Sequence, residues 1–307
     1  MAPLKISANM ELRQLRYFRA VARLCSFTQA ARHEGIAQPS LSQQIRKLED
    51  ELGGRLFDRL GRQIRLTALG EKFQEHATRV LNELEGARQE IEDMRGLRGG
   101  SVALGVIPTV APYLMPQIVR AFSAECPHVQ VKVTEGLTHS LRAQLAHGEL
   151  DAALLSMPTT EPELITEPVI QDRMLLAVPA RHRIWRQKRR RICFRDVADE
   201  PFLLLKEGHC FRDDFLNLCK DSRVNPHVVF EGGQFETLVA MVAAGFGITV
   251  LPAMGRARFQ RAGVGLLDFV PPEPRRTIGI VRWKGKYLTP AARVLIEAIR
   301  RAASSRK

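Results

Sequence analysis

The sequence predicts an α/β protein built in two unlike parts, a helical N-terminal third and a longer region of layered strands and helices. Three observations predict it. Apolar residues before position 98 recur at intervals of three and four, which marks helix faces. Beyond Gly99-Gly100 the pattern shortens to apolar runs at 102–106, 129–133, 151–155, 174–178, 202–205 and 247–251. Helical patterns separate those runs, and such alternation predicts largely parallel sheets covered by helices.

Composition sets the bounds. A chain of 307 residues with 45% hydrophobic content can build more than one core. The formal net charge of +13 suits a polyanionic partner. The basic run 186–191 reads as a solvated connector or an exposed edge rather than a binding site for such a partner. Five cysteines, an odd number, do not make a secreted disulfide framework. No charged-then-apolar leader and no apolar run near the ~20 residues of a membrane span is found, so a cytoplasmic, nucleoid-associated location without a membrane partner is expected. No Walker loop, dinucleotide fingerprint or paired catalytic carboxylates occur, so no cofactor and no bound metal are expected.

Taken in order, Leu12, Leu15, Phe18, Val21 and Ala22 line one face of a first helix. Ser26 is placed to cap a short second helix that Gly35 ends. Pro39 suits the first position of a third helix, whose core face is Leu41, Ile45, Leu48 and Leu52. Its opposite face carries Ser40, Ser42, Gln43, Arg46 and Lys47, groups suited to base edges and phosphates. Three short helices with a tight turn predict a helix-turn-helix. Arg55, Arg59, Arg62 and Arg65, among turn glycines, read as a basic β-hairpin wing in reach of phosphates. From Thr67, a good N-cap, a long helix is expected to about Leu97. Phe73, Ala77, Val80, Leu84, Ala87, Ile91 and Met94 form a heptad seam along it that predicts helix pairing in a dimer.

These residues carry a family resemblance. The segments Phe27-Thr28-Gln29-Ala30-Ala31, Gln38-Pro39-Ser40-Leu41-Ser42, Ile45-Arg46-Lys47-Leu48-Glu49, Leu56-Phe57-Asp58-Arg59 and Leu66-Thr67-Ala68-Leu69-Gly70 resemble the LysR-type transcriptional regulators. The resemblance implies a winged helix-turn-helix over 11–68, a dimerising linker helix over 69–98 and a C-terminal effector region. It adds Thr28, Gln38 and Pro39 to the expected DNA contacts of Ser40, Ser42, Gln43, Arg46, Arg59 and Arg62 on double-stranded DNA.

In the effector region, parallel sheets meet their ligands at the carboxyl ends of strands. Thr109 follows the first strand run, Thr138 the second, and Gly208-His209-Cys210 follows the run at 202–205. Each threonine also suits a helix N-cap. Phe211, Phe215, Leu218 and Cys219 recur at helical spacing, which puts Cys210 at the start of a helix, where the dipole favours a thiolate. Cys219 would lie near its end, roughly 13 Å away at 1.5 Å per residue. A disulfide needs Cα atoms within about 7 Å, so bonding the pair would force this segment to refold. Cys25, Cys126 and Cys193 read as core or incidental thiols. A metal site from His209, Cys210, Cys219 and His227 fits no compact zinc spacing.

The effector region adds to the resemblance. Residues 105–114, Thr138-His139, Gly208-His209-Cys210 with Arg212-Asp213 and Cys219, 241–245 and 274–279 are similar to the hydrogen-peroxide-sensing LysR-type regulators. What this implies is a two-lobed, periplasmic-binding-protein-like region, with lobe I over 99–173 and 277–307 and lobe II over 174–276. Cys210 would be the peroxide-reacting thiolate and Cys219 the resolving thiol, with Thr109, Thr138, His209, Asp213 and Arg276 around the peroxide. Implied partners are a dimer of dimers, RNA polymerase, and a thiol reductant such as glutaredoxin or thioredoxin. Two alternatives stand beside this reading: a LysR-type regulator with an organic effector between its lobes, and a thiol peroxidase.

Overall fold

In a computed structural model of the protein, residues 10–60, 63–94, 100–159, 161–222 and 224–304 are described. The chain divides into two compact units, Met1–Gly96 with Gly285–Thr289 and Leu97–Lys284 with Pro290–Lys307.

The first unit packs α1 (Leu12–Leu24), α2 (Phe27–His33) and α3 (Gln38–Leu52) around Phe18, Val21, Leu41, Ile45 and Leu48, all fully buried. Phe18 is the centre: its ring lies 5.2 Å from that of Phe57 and 5.0 Å from that of Phe73. The Ser26 hydroxyl accepts the Gln29 N–H at 3.3 Å and so starts α2. Gly35, at φ +68°, takes the left-handed turn into α3, a conformation that favours glycine. α3 begins one residue before Pro39. The wing is real: β1 (Phe57–Leu60) pairs antiparallel with β2 (Gln63–Leu66), Phe57 opposite Leu66. Glu49 ties it to α3 by accepting the Leu56 N–H at 2.8 Å. Thr67 accepts the Gly70 N–H at 3.0 Å and caps α4 (Ala68–Met94).

Along α4 the heptad seam splits in two. Ala77 joins the core of this unit, whereas Val80, Leu84 and Ile91 are 47%, 49% and 53% exposed, and Ala87 is exposed with them. Their 4-3-4 spacing leaves an apolar stripe on the second half of the helix.

The second unit opens with β3 (Gly100–Val106), α5 (Ala111–Glu125), β4 (Val129–Glu135), α6 (Thr138–Ala146) and β5 (Ala152–Met157). β3 pairs parallel with both β4 and β5. β6 (Leu164–Pro179) then runs for 16 residues. After α7 (Arg183–Arg186) come β7 (Arg191–Ile192), β8 (Pro201–Leu205), α8 (Cys210–Asp221), β9 (His227–Gly232), α9 (Phe235–Ala244) and β10 (Thr249–Pro252). α10 (Arg256–Phe259), β11 (Val264–Phe269), β12 (Arg275–Trp283) and α11 (Pro290–Ser304) complete it.

The expectation of largely parallel sheets holds only in part. β12 is antiparallel to β5 and β6, and β10 and β11 are antiparallel to β6. The reason is the return path. β6 pairs with β12 through Arg173 and, from Met174 on, with β10, so one long strand serves two sheet regions and β12 re-enters beside it. Carboxyl ends of β3, β5 and β8 and the partner change in β6 are the places from which the site is assembled. No helix among the described residues is long and apolar enough to cross a membrane.

Candidate functional site

Cys210 is the first residue of α8, with His209 as the N-cap. Gly208, at φ +93°, turns the chain from β8 into that helix, and a Cβ there would meet Leu137 Cδ1 at 3.1 Å. The cysteine is half-buried and sits at the helix N-terminus, where the dipole favours negative charge. Cys219 is buried on the same unbroken helix, about 13 Å along its axis. It packs in the aromatic core with Phe211 and Phe215, and burial pushes its thiol up to about 12.

Four elements converge on Cys210. Thr138 starts α6 and Ser156 lies near the end of β5; both hydroxyls favour the charged sulfur. Thr138 Oγ1 is buried, and the Cys210 sulfur is the group it favours; it has no other hydrogen-bond partner among the described residues. Arg276 comes from β12. Its cross-strand neighbour in register is Asp172 of β6, and its Nε donates to Asp172 Oδ2 at 3.0 Å. The other guanidinium nitrogens donate to Thr109 Oγ1 at 2.8 Å and to the Thr109 carbonyl at 3.0 Å. The Arg276 and Asp172 side chains are 0% and 2% exposed. Asp172 Oδ1 also accepts the Met254 N–H at 3.0 Å, and the guanidinium stacks 4.7 Å above the Phe211 ring.

The net electrostatic balance at the thiol runs against an easily ionised cysteine. Burial, the largest influence, pushes the Cys210 thiol up, Arg276 pulls it down, and Asp214 pushes it up again. Asp214 lies one helical turn beyond Cys210, and Ser156 donates its hydroxyl to Asp214 Oδ2 at 3.1 Å. Burial raises the Asp214 carboxyl, while Arg276 and then the Ser156 hydrogen bond lower it.

Two expected pocket residues stand differently. Asp213 is exposed, because one step along the helix turns a side chain by about 100°, and Asp214 takes the inward place. His209 is 5% exposed, but burial, aided by Lys206, lowers its pKa against the opposing pull of Asp213. It is a neutral imidazole beside the site rather than a cation. Thr109, Thr138, Cys210 and Arg276 are brought together. Asp172, Ser156 and Asp214 complete the group without having been singled out in the sequence; Ser156 had a signal, since it follows the apolar run 151–155 at a strand end. Cys25 and Cys193 are exposed rather than core, and Cys126 is half-buried.

In the first unit Thr28, Gln38, Pro39, Ser40, Gln43 and Arg46 are exposed. Ser42 is not: at 8% exposure, between Leu41 and Ile45, it sits on the flank of α3 that packs inward. The Arg59 side chain and Arg62 lie outside the described residues.

Comparison with known proteins agrees with both halves of this architecture. Residues 12–71 match the bacterial regulatory helix-turn-helix protein, lysR family, and residues 95–304 the LysR substrate binding domain. The DNA-binding transcriptional dual regulator OxyR of Escherichia coli (strain K12) is 38% identical, with 95% of each chain covered. A full-length OxyR cysteine variant from Pseudomonas aeruginosa superposes with a TM-score of 0.79 at 32% identity, with 96% of each chain covered. A cysteine variant of Corynebacterium glutamicum OxyR bound to hydrogen peroxide gives 0.60 at 27% identity, with 96% of this chain and 95% of that one covered. With a helix-turn-helix and wing in one unit and strand ends gathered around a polar site in the other, the chain belongs to the LysR family of transcriptional regulators.

Proposed function

We propose that this regulator senses hydrogen peroxide through Cys210. The observation that carries the reading is a half-buried thiol at a helix N-terminus, among two hydroxyls and a guanidinium, with a second cysteine on the same helix. The buried Thr138 hydroxyl, next to the sulfur, is a hydrogen-bonding group for a small polar oxidant.

The chemistry follows in two steps. The Cys210 thiolate attacks one peroxide oxygen, the O–O bond breaks, and the departing hydroxide takes a proton to leave water and a sulfenic acid. The Cys219 thiolate, formed by loss of its proton, then attacks that sulfur and expels hydroxide, giving an intramolecular disulfide. About 13 Å of helix separates the pair and a disulfide allows about 7 Å, so α8 must unwind between the steps. Unwinding takes Phe211 and Phe215 out of their packing, at about 2–3 kcal/mol each if they become exposed. The refolded segment then re-sets subunit packing and the spacing of the DNA-binding units. The exposed stripe on α4 supports a dimer, and a dimer of dimers, contact with RNA polymerase, and reduction by glutaredoxin or thioredoxin complete the proposal.

The organic-effector alternative is less well supported. A carboxylate effector would look for a free cation, whereas Arg276 directs its donors to Asp172 and Thr109. The peroxidase alternative leaves the helix-turn-helix without a purpose, and here one peroxide is consumed per reduction. DNase footprints of the wild type and Cys210→Ser, with and without peroxide, test the reading. The wild-type footprint should change reversibly with thiol reductant, and a change in the Cys210→Ser footprint would reject it.

A further inference from the structure

Asp214 plays no part in the chemistry above, yet it is the acid of its own helix that acts on the reacting sulfur. Residues four apart share a helix face, with Cβ atoms about 5–6 Å apart. Ser156, 7% exposed at the end of β5, holds the carboxylate there by donating to Oδ2 at 3.1 Å. Among the described residues, the charged groups that act on the thiol are Arg276 from β12 and Asp214 from α8. Arg276, ion-paired to Asp172 of β6, favours the thiolate, and Asp214 opposes it. From α6 and β5 come only the Thr138 and Ser156 hydroxyls; His209 is neutral, and Asp213, which also faces Asp214, is exposed.

We propose that Asp214 is a built-in brake on Cys210: its carboxylate, fixed one turn away by Ser156, competes with the sulfur for the site's single negative charge and sets the peroxide threshold. It acts through the thiol and is a positioning residue. Two such groups lose their protons as a pair. The first proton lost leaves one negative charge, held mainly by Asp214, and the second is lost only against that charge. Both groups are half-buried, which weakens solvent screening of the repulsion, and Asp214 pushes the Cys210 thiol up. The inference rests on Cys210 being the reactive thiol.

The test is the pH dependence of Cys210 alkylation by iodoacetamide, followed on its own peptide by mass spectrometry, beside stopped-flow reaction with peroxide. Asp214→Asn keeps the shape and the acceptor for Ser156 while removing the charge. Its Cys210 titration should move down by about one pH unit, giving up to about tenfold more thiolate near neutrality. A weaker base is a weaker nucleophile, so the peroxide rate should rise only about three- to fourfold. Asp214→Glu, which restores the charge, should return the titration toward that of the wild type, and Asp213→Asn should shift it less than Asp214→Asn does. Asp214→Ser supplies a second uncharged variant should Asn fold poorly. An unchanged alkylation profile in the uncharged variants, or a larger effect of Asp213→Asn, overturns the brake. Loss of peroxide reaction with the alkylation shift intact would instead overturn the sensor reading and leave the brake standing.

Discussion

Removing Arg276 should separate stability from reactivity. Its guanidinium makes three hydrogen bonds, one to Asp172 and two to Thr109, with both charged side chains essentially free of solvent. Arg276→Met leaves the Asp172 carboxylate buried without its cation, a loss of about 3–5 kcal/mol. Against a typical domain stability of about 5–15 kcal/mol, the protein should remain folded but become markedly weaker. Adding Asp172→Leu removes the stranded charge and should recover all but about 2 kcal/mol, part of the remainder being the lost acceptor for the Met254 N–H. Reactivity should not recover with stability. Arg276 is the main group favouring the Cys210 thiolate, so without it the thiol should rise by about one unit and the thiolate near neutrality should fall about tenfold. Urea denaturation of the full chain gives the first quantity, and stopped-flow peroxide reaction of the folded double variant gives the second. A double variant as unstable as Arg276→Met would refute the ion-pair argument. One that reacts at the wild-type rate would refute the role given to the cation.

Three further outcomes follow from the geometry. Cys219 is held protonated in the fold at about 12 against an ordinary 9.0, so its contribution to stability is complete below pH 9 and is lost as pH rises toward 12. Denaturation of the reduced protein should therefore show stability falling by about 1.4 kcal/mol per pH unit across that window, a slope that Cys219→Ala removes. Leu84→Glu and Ile91→Glu place charge on the exposed α4 stripe and should shift sedimentation toward monomers with little effect on melting; unchanged assembly would show that the stripe is not an interface. Gln43→Ala should relax sequence discrimination and Arg46→Ala should weaken DNA binding broadly, reducing the salt slope by about one, whereas Ser42→Ala should register mainly in stability, as its burial requires; equal loss of discrimination in the Ser42 variant would contradict that.

Much of the fold is legible in the sequence where one periodicity governs one element. Leu41, Ile45 and Leu48 mark the inner face of α3, the Ser26 and Thr67 caps fall where the spacing puts them, and Cys210 begins its helix as the Phe211–Phe215 pattern requires. Legibility fails where the outcome depends on distant partners. Nothing local in 164–179 says that this strand changes neighbours between Arg173 and Met174, because β12 arrives from about a hundred residues later. The Arg276–Asp172 pair is a matter of cross-strand register for the same reason. Asp213 and Asp214 are chemically alike in sequence, and only the rotation fixed by burying Phe211 and Phe215 decides which of them faces the thiol. Ser42 is the same lesson on α3: a polar residue beside Leu41 is drawn to the core flank by the packing of its neighbour.

The most direct test of peroxide sensing by Cys210 is peptide mapping of all five cysteines after a stoichiometric pulse of peroxide. The account predicts one intramolecular bond, Cys210 to Cys219, formed ahead of any change at Cys25 and Cys193 despite their greater exposure. It predicts that hydrogen exchange increases across α8 in the same sample. Oxidation that spares Cys210 while the exposed thiols react would contradict it.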